Sequence, residues 1–517
     1  MSTISFPKTN FTLTLDTPPV VTSPIRTLII GQLNTGVTPT QPIIKNVQSG
    51  QENNLFGDNS QLSIALKEYR RYDTVNVVDA MQLAEDASAV AAQFRITTTI
   101  VPSFQGGSIR FAFRSVIFGL ITLNVNTNDT SITLAQQLYN KLLTLSQTVP
   151  YTFTYVSTDN FITVTASSGG GWGNSLYMET LDTLEGVFVA MTTEVVGGGD
   201  AVIPQSNLDD ISTIRYQTII LGLPSDTNLL KLKLFMDSRF NTQTGVVEDG
   251  LVVTTQTTTL TNAIAAVAPI PSFSMYFCAN KQVTENVANT DYGIPGAVRD
   301  NDFILASYLG AERNLRLTPN VSIPQLLVGP LLASNTDGGP RIAAVPYANT
   351  PIYTIAPCEV GKNWSYDEQN TLNNAGVSFV GNNMQNTQLI MGQWVTTYLP
   401  RVFVNEIDTA SIIREFFVSN NQNRYLQATL TTGASNSPSV VNVDMFNAYQ
   451  ITLYTQLTKS PYYLVPAGRS SYQAFSSNLK TSIDLANGII ETSMLVPINS
   501  QVRGINGAIK ISFSLST

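Results

Sequence analysis

Apolar positions along the chain follow two rhythms. Thr27 to Gln32 (TLIIGQ) is an unbroken run rich in β-branched residues, the pattern of a strand buried on both faces. In Ser60 to Arg71 (SQLSIALKEYRR), Leu62, Ala65, Leu66 and Tyr69 recur at helical spacing behind Ser60, which suits an N-cap. Thr74 to Val78 (TVNVV) predicts a further strand, and the strand-helix-strand order implies a parallel pair beneath a helix. The same rhythm returns later. Tyr216 to Leu221 predicts a strand, Pro224-Ser225-Asp226 a turn, Thr227 to Phe240 a helix, Phe273 to Cys278 a strand and Asp302 to Leu315 a helix. Between these blocks, from Ala91 to Gly199, the segments shorten and alternate with period two. Arg110 to Phe113, Ile117 to Val125, Tyr151 to Val156 and Phe161 to Ala166 predict strands, Leu134 to Leu145 predicts one helix, and Gly197-Gly198-Gly199 reads as a flexible link.

Past residue 318 the chain is proline-punctuated. Ser365 to Asn374 then carries a capping box, with Glu368 three positions after Ser365, and Val377 to Val380 predicts a strand. Helices are expected at Glu406 to Phe417 and Val443 to Leu457, and strand at Ile483 to Val496. The ends are extended. Phe11, Thr12, Leu13, Thr14 and Leu15 alternate before the Pro18-Pro19 break. Near the other end Ile509, Ile511, Phe513 and Leu515 share one face, while Lys510, Ser512 and Ser514 take the other. A 20-residue arm reaches on the order of 60 Å, so the first strand can fold back on its own domain or pair with another subunit, and its pattern admits both.

The expected fold class is therefore a multidomain α+β and α/β protein. Residues 1–22 form an extended arm, 23–90 and 200–318 a discontinuous α/β domain, and 91–199 an inserted β-rich domain. Residues 319–499 form a C-terminal α+β domain and 500–517 a C-terminal arm strand.

Composition narrows the chemistry. Charged residues are 12% of 517, about half the usual share, and the net charge is −8, so no basic stripe offers counterion release to nucleic acid. There is no histidine, which removes Ser-His-Asp and Cys-His pairs, imidazole bases and His-containing zinc sites. Cys278 and Cys358 alone cannot build a four-cysteine metal site and read as inert buried thiols. Ser168 to Asn174 (SGGGWGN) lacks the Lys-Ser/Thr of a phosphate loop and reads as a tight turn; Gly197 to Asp200 fails the same test. Adjacent carboxylates at Glu85-Asp86 and Asp209-Asp210 diverge rather than converge, and Asp300-Asn301-Asp302 fits a helix start better than a cation loop. Asn10-Phe11-Thr12 and Asn128-Asp129-Thr130 match the glycosylation pattern, which matters only after export. Met1 to Asn10 shows no charged and apolar export pattern, and the longest apolar runs fall short of a membrane span, so folding in the cytoplasm is expected. Neither catalytic residues nor cofactors are expected.

Several segments resemble, in order, the sheath proteins of contractile phage tails of the Mu type. These are Thr27 to Gln32; Asn54 to Arg71, with its Phe56-Gly57-x-x-Ser60-x-Leu62 element; and Thr163 to Ser175, a threonine-rich strand with a glycine turn and Gly173-Asn174. Tyr216 to Phe240, a strand, Pro-Ser-Asp turn and helix ending in Arg-Phe, and Gly504 to Leu515, a closing strand, complete the series. Val418 to Ser437, rich in Asn and Thr, has no counterpart. The resemblance implies a subunit of hexameric rings stacked around a tail tube, contracting on a baseplate signal, with no enzymatic step. It also implies that Phe11 to Leu15 and Ile509 to Leu515 are lent to neighbours' sheets, with Thr17 to Thr22 and Ser500 to Asn506 as hinges. The implied partners are other copies, the tail tube protein, the baseplate and tail terminator proteins, without direct nucleic-acid contact or membrane insertion. The implied location is the virion tail, assembled in the host bacterial cytoplasm. A fibre or adhesin, or a phage-derived injection system, is the alternative, although a fibre would favour glycine-rich repeats that this chain lacks.

Overall fold

A computed structural model describes residues 25–498 apart from 40, 103–104, 115–118, 146–148, 181–183, 240–249, 284–293, 296–300, 318–330, 335–339, 344–363, 383–388, 426–427, 435–438, 460–463 and 487. Both strand-donation candidates, Phe11 to Leu15 and Ile509 to Leu515, and Cys358 lie outside the described residues. The architecture is mixed α/β and multidomain, with several separate sheets. The described residues divide into two compact units, one within 25–408 and the other within 409–498.

The larger unit begins with β1 (Arg26–Gln32), β2 (Ile43–Ile44), α1 (Glu52–Phe56), α2 (Gln61–Tyr72) and β3 (Val77–Leu83). Strands β1 and β3 pair in parallel from Arg26↔Val77 to Gln32↔Leu83, so the crossover through α2 forms as the pattern predicts. Ser60 caps α2 by accepting the Ser63 N–H at 3.1 Å, and Leu62, Ala65, Leu66 and Tyr69 are all buried. Strand β3 starts three residues later than Thr74. The Asp73 carboxylate accepts the N–H groups of Val75 (3.2 Å) and Asn76 (3.1 Å), holding these residues in a side-chain-capped turn.

Next come β4 (Gln93–Ile100), β5 (Gly107–Arg114), β6 (Gly119–Val125), α3 (Ser131–Leu145), β7 (Tyr151–Tyr155), β8 (Phe161–Ala166), β9 (Tyr177–Thr180) and β10 (Val187–Val195). They form two antiparallel sheets, ordered β10-β4-β8-β7 and β6-β5-β9. The Leu134 to Leu145 helix is longer than predicted at its start, because Thr130 and Thr133 exchange hydrogen bonds that begin the helix earlier.

The chain then returns through α4 (Gln205–Asp210), β11 (Thr218–Leu221), α5 (Asp226–Arg239), β12 (Leu251–Thr258), α6 (Leu260–Val267), β13 (Met275–Val283), β14 (Ile294–Pro295) and α7 (Asp302–Leu317). After β15 (Leu331–Ser334) and β16 (Pro340–Ala343), which pair with each other, come α8 (Tyr366–Asn374), β17 (Ser378–Asn382) and β18 (Leu389–Met391). The large sheet runs β18-β17-β13-β12-β11-β1-β3-β2, so the two strands at its β18 end come from beyond residue 318. Its inner strands are parallel and buried on both faces, which explains their continuous apolar runs. Gly310 lets α7 lie close on the sheet, since a side chain there would meet Ile220. The capping box of α8 forms in full, with Ser365 accepting the Glu368 N–H and Glu368 accepting the Ser365 N–H.

Polar side chains cross the N-terminal end of this sheet without a gap. Tyr69 donates to Asp73 (2.5 Å) and accepts from Asn314 (2.8 Å), whose amide also reaches Thr27 (2.6 Å). Asn314 accepts from Thr218 (2.6 Å), Thr218 accepts from Arg313 (2.7 Å), and Arg313 donates to Asp408 (2.6 Å) and to the Gln217 carbonyl. Burial pushes the Tyr69 hydroxyl well above its usual range, so it stays a neutral donor.

Helix α9 (Val404–Tyr425) leads from the larger unit into the smaller, which holds β19 (Thr429–Leu430), β20 (Val440–Val441), α10 (Val443–Leu457), α11 (Arg469–Asn478), β21 (Lys480–Asp484) and β22 (Ile489–Ser493). Helix α9 outruns its predicted end at Phe417 by eight residues, through the Asn-rich SNNQNRY stretch. Packing overrides the poor propensity there: Asn420 is buried and donates to the Phe416 carbonyl (2.7 Å), and Asn421 exchanges two amide hydrogen bonds with Gln450 of α10 (3.0 and 2.6 Å).

Replacing Arg313 with Met leaves the Asp408 carboxylate buried without its cation, which costs about 3–5 kcal/mol. Urea unfolding of the variant checks this, with the midpoint falling and the slope unchanged.

Candidate functional site

From β1 the chain passes to β3 on one side and later to β11 on the other, so the order β3-β1-β11-β12-β13 reverses at the β1–β11 boundary. In open α/β sheets the crevice outside the carboxyl ends of two such strands is the usual ligand site. Here the protein's own side chains fill it. Gln61, the first residue of α2, is fully buried, accepts the Gln32 N–H at 2.7 Å and donates to the Gly222 carbonyl at 2.7 Å. The Gln32 side chain donates in turn to the Gly169 carbonyl at 2.9 Å.

The glycines at these strand ends admit that glutamine. A Cβ on Gly222 would sit 2.7 Å from the Gln61 amide nitrogen, and one on Gly31 would sit 3.1 Å from its oxygen and from the Leu62 Cα. Four of the segments carrying the sequence resemblance supply this locus: β1, the start of α2, the glycine turn and the end of β11. Sequence reasoning singled out the segments but missed Gln32 and Gln61, whose only signal was a glutamine closing a strand directly after a glycine and another directly after an N-cap.

The glycine-rich turn is anchored as a structural piece. Trp172 is buried, donates to the Gly169 carbonyl (3.2 Å) and meets Phe303 edge-on at 5.8 Å. Asp200 accepts the Gly171 N–H at 2.7 Å. The expected flexible link at Gly197-Gly198-Gly199 is instead held in place. Asn174 exchanges hydrogen bonds with both backbone groups of Gly197 (3.0 and 2.8 Å), and Gly198 exchanges two with Val90 (2.8 and 3.0 Å). The run is glycine because close backbone approach leaves no room: a Cβ at Gly197 would strike the Gly170 carbonyl, and Gly199 has φ +76°.

Beside the filled crevice, a cleft of ≈ 450 Å³ opens at the ends of β11, β12 and β13, lined in part by Asn174, Asp200, Ser225, Asp226, Gln256 and Asp302. Two of its carboxylates, Asp200 and Asp302, accept backbone N–H groups. Asp302 accepts the Thr257 N–H (2.8 Å) and hydroxyl (2.8 Å), and burial pushes its pKa up. Glu85 accepts the Thr35 hydroxyl (3.0 Å) and the Gly169 N–H, while half-exposed Asp86 accepts from Ser88, whose hydrogen bonds hold its carboxyl below the usual range. The two neighbours thus serve different turns. Asp209 accepts from Gln205 (2.9 Å) within α4. Cys278 is buried, and desolvation raises its thiol pKa. Among the described residues no group of three Asp, Glu or Cys is placed to hold a metal ion, and no helix is long and apolar enough to cross a membrane.

A contrasting locus lies in the smaller unit. Strands β21 and β22 form a two-stranded hairpin, paired from Lys480↔Ser493 to Asp484↔Ile489, with Gly488 at φ +68° in the turn. Thr481 ties one face to Asn447 of α10 at 2.6 Å, and Ile483 pairs with Ile490. Among the described residues neither outer edge is paired, and Leu485, Ile489 and Leu495 are exposed. An isolated hairpin of this size is marginally stable in water, and its free edges are templates for further strands.

No family model matches the sequence, and no curated protein matches it either. Among solved structures, a sheath tail protein from Desulfitobacterium hafniense is similar over 93% of this chain and 97% of its own, at 12% identity and TM-score 0.41. A sheath tail protein from Listeria innocua is similar over 93% of each chain, at 10% identity and TM-score 0.39. The helical sheath of the anti-feeding prophage in its contracted state covers 95% of this chain and 94% of that one, at 9% identity and TM-score 0.39.

Replacing Gln61 with Leu keeps the volume but strips the Gln32 N–H and the Gly222 carbonyl of their buried partner. The expected cost is about 2–4 kcal/mol, read as a lowered chemical-denaturation midpoint. Gln61→Glu retains an acceptor for Gln32 but can donate to Gly222 only when protonated. Burial raises the folded-state pKa of the new carboxyl above its unfolded value, so the variant is most stable at acid pH and loses stability as pH rises through the folded value. A denaturation series from pH 4 to 8 reads that sign.

Proposed function

We propose that the chain is the structural subunit of a contractile tail sheath, polymerising as stacked hexameric rings around a tail tube and shortening to drive that tube through a host envelope. The observation that carries this reading is the ordered set of sheath-like segments, Thr27 to Gln32, Asn54 to Arg71, Thr163 to Ser175, Tyr216 to Phe240 and Gly504 to Leu515. The filled crevice supports it, because the place where a doubly wound sheet would take a nucleotide is occupied by Gln61 and Gln32. In such a lattice the work comes from subunits relaxing between two packings, without a bound fuel.

Subunits are linked by strand donation. Phe11 to Leu15 and Ile509 to Leu515 supply strands for copies in the lattice, and the two edges of the β21–β22 hairpin, unpaired among the described residues, are the receiving sites. Main-chain hydrogen bonds then keep neighbours joined while the domain bodies turn. Tail tube, baseplate and terminator proteins are the remaining partners, and the virion tail is the location.

Negative-stain electron microscopy of the full chain at high concentration should show long hollow cylinders. A compact trimer would instead favour a fibre. Deleting Met1–Thr17, or separately Ser500–Thr517, should leave soluble subunits of unchanged melting temperature that form no connected cylinders. Connected cylinders that still contract without either arm would rule out strand donation.

A further inference from the structure

Helices α1 and α2 meet at a polar contact that takes no part in the filled crevice. Asn53 lies on α1, and Ser63 and Lys67 sit four positions apart on α2, so the latter two share one face of that helix. Both donate to the same atom. The Asn53 Oδ1 accepts the Ser63 hydroxyl at 2.7 Å and the Lys67 side chain at 2.6 Å. With a C=O bond of ~1.23 Å and a trigonal oxygen, the Lys67 Nζ stands about 3.4 Å from the Asn53 Cγ, a near-attack separation.

The groups around this carbon divide the work of an acyl transfer. Ser63 is fully buried, and its hydroxyl is aimed at the oxygen on which negative charge develops. Lys67 is a nucleophile once neutral, and partial burial lowers its pKa from the ordinary value, against the charges of Glu52 and Asp58. Glu52, next to Asn53 and 3% exposed, supplies a carboxylate beside the pair. The Asn53 Nδ2 has no hydrogen-bond partner among the described residues, so none of them retains it as it leaves. Lys233 and Lys281 meet carboxylates instead, Asp237 at 2.8 Å and Glu368 at 2.9 Å, whose charge makes the carbon a poor electrophile.

We propose that Lys67 and Asn53 join in an isopeptide bond that staples α1 to α2. The Lys67 amine adds to the Asn53 Cγ while Ser63 holds the oxyanion. The Cγ–Nδ2 bond then breaks, and a proton passes from Nζ to the departing nitrogen through Glu52. From a lysine ammonium and a carboxamide the products are one neutral amide and one ammonium ion, so neither oxidant nor cofactor is consumed. The bond spans 14 positions and fixes α1, which at five residues is too short to hold its helix in isolation. It is independent of assembly, so it stands or falls separately from the sheath reading.

Mass spectrometry of the full chain after tryptic digestion tests this. Residues 46–70 should appear as one peptide, uncut after Lys67, lighter by one ammonia and without backbone fragments from between positions 53 and 67. Lys67→Arg and Asn53→Ala should each show the mass calculated from their own sequence, and Lys67→Arg should be cut at position 67. Glu52→Gln, which keeps the shape, should reduce the linked fraction about tenfold. Cleavage after Lys67 with the full mass retained, an ammonia loss that persists in Lys67→Arg, or an undiminished linked fraction in Glu52→Gln overturns the proposal.

Discussion

The side-chain amide of Gln61 joins pieces of chain that are far apart in sequence. Its oxygen holds the N–H at the end of β1, and its nitrogen holds the carbonyl just past β11. Gln32 extends the link to the glycine turn after β8. All of these groups are buried, where an unpaired N–H or C=O is expensive, so the amide fixes the spacing of two parallel strands and the seat of the turn together. The turn in turn seats Trp172 against Phe303 at the start of α7. One apolar core therefore runs from the large sheet into the segment between β3 and β11.

The opposite end of the same sheet is closed by a different device. Tyr69, Asn314, Thr218 and Arg313 pass hydrogen bonds from the end of α2 to the first turn of α9. A chain with so few charges uses neutral amides and hydroxyls for this work and, among the described residues, places one fully buried ion pair, Arg313–Asp408, at the base of the helix that leads into the second unit. Polar groups bonded to one another in this way favour one arrangement of a core over its neighbours, because a shift breaks several hydrogen bonds together.

The β21–β22 hairpin of the smaller unit stands in contrast to that network. Among the described residues the main-chain groups at its two outer edges are unpaired, and such edges are templates for further strands.

Much of the local structure was legible in residue order. The Ser60 cap, the apolar stripe of α2, the β1–β3 crossover and the Ser365–Glu368 capping box depend on neighbours within a few residues, and their signals survive folding. Where distant contacts decide, the pattern misled or was silent. Asp73 turned Val75 and Asn76 out of a strand, α9 ran on through asparagines because Asn420 and Asn421 found buried partners, and Gly197–Gly199 became a tight junction rather than a link. Strand β12, Thr-rich and weakly apolar in sequence, gained its place only between β11 and β13. From the sequence alone came the periods, the caps, the lack of histidine and the order of the sheath-like segments. The meeting of Gln32, Gln61, Gly169 and Gly222 was decided by tertiary structure, since hydrogen bonds spanning 137 and 161 positions leave no periodic trace in the chain.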